Sequence, residues 1–372
     1  MQVASMKETP NMKKLNLSLA ILALAAMSVN AQTSVNSPIV GYVKQPLAAG
    51  SDTIIAPQLQ REVEFTGTVS SVVTSGDNAT LVCPSASFSA NSFQYVANTQ
   101  PKTYFVLVTA GSLTGTKFRV LSNGTGDFVV ARDGLTVASA DITAVEVRPY
   151  WTLNTLFPSV DSGVSFTPST GTTTGGRRTQ LVLPDFVLKG INRAPSTLYF
   201  YNPALADWAS TGASGVKAGD TIIEPGQYIV HRNTGGTPVN LNGTAVGGLL
   251  TKSDSVYLAT SSSAANDNPM ALPRASDYLL SAIGFTDANF LQSTGKTTGG
   301  RRDQVLVYDT VGTGINRAPS KIYFKFANAW YDTASTGTAV DPTIPAGSAI
   351  LVRKYTSDGS DKILVNASNV AL

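Results

Sequence analysis

Thr173-Thr174-Gly175-Gly176-Arg177-Arg178 returns as Thr297-Thr298-Gly299-Gly300-Arg301-Arg302, 124 residues further on. Gly190-Ile191-Asn192-Arg193-Ala194-Pro195-Ser196 returns at the same offset as Gly314-Ile315-Asn316-Arg317-Ala318-Pro319-Ser320, and Tyr199-Phe200 as Tyr323-Phe324. After a one-residue slip, Ala209-Ser210-Thr211-Gly212 matches Ala334-Ser335-Thr336-Gly337. Both copies close on strand-like runs, Ile229-Val230-His231-Arg232 and Ile350-Leu351-Val352-Arg353. A period this long is a duplicated domain, since solenoid repeats run to about 20–50 residues.

Each copy reads as strands. In Lys321-Ile322-Tyr323-Phe324-Lys325-Phe326, alternation puts Ile322, Phe324 and Phe326 on one face, and in the sister segment Leu198 and Phe200. Period-two alternation bounded by Gly, Pro and Asn is the mark of a half-buried strand. Gly-Ile-Asn-Arg-Ala-Pro-Ser falls between strands: its Gly suits positive φ, its Asn can bond its own backbone and its Pro stops a sheet. Ahead of the copies, Val63–Val73, Tyr104–Thr109, Lys117–Leu121, Asp127–Ala131 and Ala144–Val147 are further candidate strands, with Asn123-Gly124-Thr125-Gly126 as a tight turn. Short helical turns are expected only at Thr152–Phe157 and Asp287–Phe290.

The N-terminus has a different character. Met12-Lys13-Lys14 is basic, Leu15 to Met27 is apolar, and Val29-Asn30-Ala31 offers small residues for cleavage after Ala31. Basic, apolar, small is the pattern of a secretory signal, with Met12 as the expected start. The apolar run is shorter than the ~20 residues a spanning helix needs, and no later run in the mature chain is long enough. The expected organisation is a signal peptide over residues 1–31, a small barrel or sandwich over 32–150, and two tandem β-sandwich-like repeats over 151–250 and 251–372, an all-β chain.

Charge narrows the function classes. Removing the leader takes away Lys7, Lys13, Lys14 and Glu8 and leaves 24 basic and 23 acidic residues, a net charge of +1. Such a chain has no global electrostatic case for nucleic acid or anionic lipid. Only 14% of residues are charged, against about 25% in ordinary soluble domains, which suits an extracellular or assembled protein.

Catalytic sets are sparse. Cys83, the single cysteine, can form no intramolecular disulfide and sits in a strand-like run, so a buried thiol is expected. His231, the single histidine, aligns with Val352 of the other copy and reads as a tolerated strand residue. There is no Gly-x-Ser-x-Gly elbow and no Walker loop. No cofactor or metal is called for. Paired carboxylates could hydrolyse glycosides, but the acidic residues are scattered. Two features could bind a ligand. Arg177, Arg178, Arg301 and Arg302 place guanidinium pairs beside glycines, a match for anionic groups of a polymer, or simply form turns with two solvated arginines entering a strand. Trp208 and Trp330 could offer rings to a sugar, or simply pack a core.

Taken with Asp267-Asn268-Pro269-Met270-Ala271-Leu272-Pro273-Arg274, the Gly-Ile-Asn-Arg-Ala-Pro-Ser element and the Pro-Ala-Gly…Ile-Leu-Val-Arg close, the chain resembles an uncharacterised family of exported proteins from Verrucomicrobia and related bacteria. Gly50-Ser51-Asp52-Thr53 and Phe65-Thr66-Gly67-Thr68-Val69 are similar to that family's N-terminal portion. The resemblance implies export and β structure, and it brings no activity. The expectation is a non-enzymatic protein of the periplasm, outer-membrane surface or medium, structural or adhesive, with polysaccharide or other envelope components as partners. A carbohydrate-binding module, an outer-membrane β-barrel and a hydrolase are the alternatives.

Overall fold

The computed structural model describes residues 40–41, 45–97, 102–185, 189–195, 197–241, 247–248, 250–356 and 361–366. The leader therefore lies outside the described residues. The described chain is almost all β, in open antiparallel sheets, and no sheet closes into a barrel. No helix among these residues is long and apolar enough to cross a membrane.

Along the chain, β1 (Val40–Gly41) and β2 (Gln45–Leu47) are followed by β3 (Ser51–Ile55). Next come β4 (Phe65–Thr68), β5 (Ser71–Ser75), β6 (Asn78–Val82), β7 (Tyr104–Ala110), β8 (Lys117–Asn123), β9 (Asp127–Ala131) and β10 (Ala144–Pro149). These last seven form one sheet in the order β4-β10-β7-β8-β9-β6-β5. Only Val69 and Ser70 separate the two edge strands in sequence, so one bent segment borders both ends of this coiled, sandwich-like sheet. Inside it Phe128 meets Phe65, Phe88 and Phe93, with ring centroids 5.0–5.7 Å apart. Cys83 is buried in the same core. Burial pushes its thiol up to about 11, so it stays protonated and unreactive at neutral pH.

After this unit the chain forms β11 (Trp151–Thr152), the single helical turn α1 (Leu153–Leu156), β12 (Thr179–Leu183), β13 (Thr197–Asn202), β14 (Asp207–Ser210), β15 (Ile222–Ile223), β16 (Ile229–Asn233) and β17 (Val239–Leu241). Thr152 caps α1 by accepting from Thr155 N at 3.3 Å. The main sheet of the first repeat runs β14-β13-β12-β16-β3. Its fifth strand, β3, precedes the seven-stranded unit in sequence. That unit is thus inserted into the first repeat, not placed before it, and the first repeat is discontinuous. The numbering shows the same thing: 215 residues separate Asp52 from Asp267, against 124 for Arg177 and Arg301, and the surplus is the insert.

The second repeat follows the same plan without interruption. After β18 (Gly247–Gly248), which pairs with β1, come β19 (Asp254–Leu258), β20 (Asn266–Ala271), β21 (Tyr278–Leu279), β22 (Gln304–Tyr308), β23 (Lys321–Phe326), β24 (Ala329–Asp332), β25 (Ser335–Val340), β26 (Thr343–Ile344), β27 (Ala349–Lys354) and β28 (Lys362–Asn366). Its sheet runs β20-β27-β22-β23-β24-β25. In each repeat two short ladders, β2-β17 and β11-β15 or β19-β28 and β21-β26, supplement the main sheet. In the second repeat 3-10 turns fall at Leu280–Ile283 and Thr298–Gly300; the expected site at Asp287–Phe290 is a plain turn.

The core face of the hairpins differs from the one alternation suggests. Tyr199, Tyr201 and Trp208 pack with Leu181 and Leu183 in the first core, and Tyr323 and Trp330 with Val305 and Val307 in the second. Phe200 and Phe324 point the other way, yet are fully buried. The physical reason is that the opposite face is covered too: the Arg177 guanidinium lies over the Phe200 ring, and Arg301 over Phe324, each 5.0 Å from the centroid. With both faces covered, hydrophobic alternation no longer identifies the core side.

Candidate functional site

The Gly-Ile-Asn-Arg loop of each repeat leaves its own sheet and docks on the other repeat. Asp52 on β3 lies directly opposite Arg232 on β16. The guanidinium grips the carboxylate with two parallel bonds, Nε to Oδ1 at 2.7 Å and Nη2 to Oδ2 at 2.8 Å. Asn316, from the second repeat, completes the unit. Its backbone N–H donates to Asp52 Oδ2 at 2.8 Å, and its Oδ1 accepts from Arg232 Nη2 at 2.6 Å. The Gly314 carbonyl accepts from Asp52 N at 2.9 Å.

The converse arrangement is built from the same residue types. Asp267 on β20 lies opposite Arg353 on β27 and accepts from its Nε at 2.7 Å and its Nη2 at 3.0 Å. Asn192 N–H donates to Asp267 Oδ2 at 2.8 Å, Asn192 Oδ1 accepts from Arg353 Nη2 at 3.0 Å, and the Gly190 carbonyl accepts from Asp267 N at 2.9 Å. Each repeat both gives and receives a loop, as in an isologous dimer. The loop chemistry follows: Gly190 and Gly314 have φ of 129° and 110°, and Asn192 and Asn316 have φ of 51° and 55°. Gly and Asn tolerate this left-handed region, and other residues are strained there. The asparagine amides serve the opposite repeat's arginine, a use that local sequence could not show. Their carboxylate partners hold Arg232 and Arg353 above the ordinary arginine value, chiefly through these hydrogen bonds.

Between the two clamps, apolar groups fill the joint. Ile54, Ala56 and Tyr228 of the first repeat pack on Ala271 and Ala349 of the second. A cavity of about 380 Å³ remains beside them. Ile54, Val182, Leu198, Val230 and Leu351 form its apolar lining, and Arg193 and Arg317 lie at it as equivalents. The equivalence is imperfect. Arg317 is paired with Asp309, with Nη2 to Oδ1 at 2.7 Å and Nη1 to the carbonyl at 3.2 Å. Arg193 donates from Nη2 to the Asp267 carbonyl, while Nη1 is buried without a hydrogen-bond acceptor and 3.9 Å from Asp185 Oδ1.

The insert joins this assembly at a second place. Gly115, at φ 91°, brings its carbonyl to Ser255 N at 3.0 Å, and a Cβ there would stand 2.6 Å from Ser255 Oγ. Lys117 beside it forms a buried ion pair with Asp254. Burial pushes the Asp254 carboxyl up, and the Lys117 charge opposes that.

None of Arg177, Arg178, Arg301, Arg302, Trp208 and Trp330 lines the cavity at the joint. Arg177 and Arg301 sit in equivalent loops, where Nε donates to the Thr172 carbonyl at 2.9 Å and to the Lys296 carbonyl at 3.2 Å. The glycines of these loops are required by close approach: a Cβ on Gly176 or Gly300 would lie 2.9 or 2.8 Å from the Cα of Gly171 or Gly295. Arg302 lies over the Tyr355 ring at 4.5 Å, and the Arg178 and Arg302 backbones are tied to Ser169 and Ser293 hydroxyls at 3.4 and 3.0 Å. Trp208 and Trp330 are 0% and 6% exposed. They occupy equivalent positions, opposite Tyr201 and Lys325. The apparent shift between them arises because a four-residue connection, Pro203–Ala206, becomes a two-residue one, Ala327–Asn328. Rings this buried have no free face for a sugar. His231 is fully buried opposite Leu181, as Val352 is opposite Val305. Burial pulls its imidazole down to about 4, so it is neutral at pH 7.

Comparison with protein-family profiles, with curated proteins and with solved structures returned no match for this chain. The joint between the repeats therefore has to be read on its own chemistry.

Proposed function

We propose that this is an exported, non-enzymatic protein of the cell envelope or cell surface, with a structural or adhesive role. The observation that carries the reading is the reciprocal exchange of the Gly-Ile-Asn-Arg loops. One of the two most faithfully duplicated segments of the chain fastens one repeat to the other. A building block or a presented adhesive body needs that kind of investment, because its modules must hold a fixed relation under load. The basic-apolar-small leader pattern of Met12 to Ala31 supplies the export half of the proposal. A membrane barrel is less favoured, since it must close its sheet to satisfy every edge, and the sheets here are open.

Expression of the full chain in a bacterium with two membranes, followed by N-terminal sequencing and protease shaving of intact cells, tests the reading. The expected result is a mature protein beginning at Gln32, recovered outside the inner membrane. An unprocessed chain retained in the cytosol would overturn it.

A further inference from the structure

The cavity at the joint has features that fastening the repeats does not require. Its polar groups occur in pseudo-twofold pairs, Asp52 with Asp267, Asn192 with Asn316 and Arg193 with Arg317, around an apolar middle. Both asparagines spend Oδ1 on an arginine of the opposite repeat, which leaves Nδ2 as the group each can offer outward. Arg193 adds a buried Nη1 that has no hydrogen-bond acceptor and stands in a long ion pair with Asp185 at 3.9 Å. The charges lining the cavity balance, with Asp52, Asp185 and Asp267 against Arg193, Arg232 and Arg317. An added carboxylate or sulfate would therefore leave a net negative charge at the site. A fatty or aromatic acid has one polar end, whereas this cavity has polar groups at both ends.

We propose that the cavity between the repeats binds a neutral saccharide of one or two sugar units. A pyranose ring has an apolar C–H face and a periphery of hydroxyl groups, which matches an apolar middle edged by donors. Its volume falls in the range of small-molecule sites, about 300–1,000 Å³. One hydroxyl oxygen accepts from Arg193 Nη1, and others accept from the asparagine amides. The inference gives the adhesive part of the proposed function a ligand, and rests on that reading only for the protein's meeting the ligand outside the cell.

The test is isothermal titration of the purified full chain with glucose, galactose, maltose and cellobiose, and in parallel with glucuronate and hexanoate. Two variants accompany it: Leu198→Trp, which fills the cavity from its half-buried side, and Arg193→Met, which removes the Nη1 donor but keeps the apolar stem. The expected result is saturable binding of at least one neutral sugar, absent in Leu198→Trp. In Arg193→Met it weakens about tenfold, the loss of roughly one hydrogen bond. Binding of glucuronate or hexanoate alone, no binding of any neutral sugar at millimolar concentration, or sugar binding that both variants retain would each overturn the assignment. If Leu198→Trp does not fold, Arg193→Met with an unchanged thermal melt decides the question. None of these outcomes depends on leader cleavage, so failure here is distinct from failure of the export reading.

Discussion

The two repeats meet the same internal demand with different side chains. At the turn before β12 and before β22, a buried backbone carbonyl needs a donor: Ser165 in the first repeat, Asn289 in the second. In the first, His231 Nε2 lies 3.1 Å from the Ser165 carbonyl and supplies the proton. In the second, Val352 replaces the histidine, and Lys354 Nζ donates to the Asn289 carbonyl at 2.7 Å. Lys354 brings a charge into the interior, and Asp303 balances it as a buried ion pair. The equivalents of that pair in the first repeat are the neutral Asn233 and Thr179, whose hydroxyl accepts from Thr167 N at 2.9 Å. The fold thus fixes where a donor must be, and leaves open which residue provides it. An unsatisfied buried carbonyl costs about 1–3 kcal/mol, so neither repeat can omit the donor.

Equivalent positions should therefore differ sharply in what they cost to lose. The largest effect is expected at Asp303. Asp303→Ala strips the partner from Lys354 and two acceptor bonds from the backbone, Leu291 N at 2.7 Å and Tyr355 N at 2.6 Å. Removing one member of a buried ion pair costs ~3–5 kcal/mol. Thr179→Ala at the matching site removes one neutral acceptor and should cost about 1 kcal/mol. Urea denaturation of both variants measures the difference. Equal losses would mean that the charged network contributes no more than the neutral one, and the comparison would collapse.

Much of this plan could be read in the sequence, and the exceptions have physical causes. The repeat was legible because turns constrain residue type: positive φ demands Gly or Asn, and the contact of Gly176 with Gly171 excludes any side chain. The insertion was not legible, because β3 and β20 share little beyond an aspartate, Ser51-Asp52-Thr53-Ile54-Ile55 against Asn266-Asp267-Asn268-Pro269-Met270. Strand pairing tolerates such divergence. The joint was hidden for another reason: Asp52 and Arg232 are 180 residues apart, and only the sheet places them opposite one another. For Arg177 and Arg301, a guanidinium stacked on Phe200 or Phe324 looks the same in sequence as one held out for an anion.

The intermediate effect concerns pH and sharpens the same contrast. His231 titrates at about 4 in the folded protein because burial disfavours the imidazolium, whereas an unfolded histidine titrates near 6.5. Below about pH 6.5 the unfolded chain takes up a proton that the folded chain refuses, so stability falls as pH drops towards 4 and the loss levels off below that. The shift corresponds to roughly 3 kcal/mol by the bottom of that window. His231→Val should be less stable than the parent at pH 7, since the Ser165 carbonyl loses its donor, and its stability should change less between pH 6.5 and 4. Adding Asn233→Lys and Thr179→Asp, the second repeat's solution, should restore part of the neutral-pH loss. Urea midpoints measured across this window check both statements. Parallel curves for parent and His231→Val would remove the histidine from the pH response.

The smallest effect lies where the repeats differ in a turn. Ala206 closes the four-residue connection between β13 and β14 at φ 49°, and Ala327 opens the two-residue connection between β23 and β24 at φ 49°, followed by Asn328 at φ 64°. Alanine in this left-handed region costs about 1–2 kcal/mol through its Cβ, and glycine gives back roughly 0.5–1 kcal/mol of that as unfolded-state entropy. Both Ala206→Gly and Ala327→Gly should therefore stabilise the protein, by about 0.5 kcal/mol each. In a two-residue hairpin both central residues must keep positive φ for the strands to retain their twist. The longer connection can shift its strain along Pro203–Leu205. Thermal melts should therefore show the larger gain for Ala327→Gly. The reverse order would place the strain in the longer loop of the first repeat.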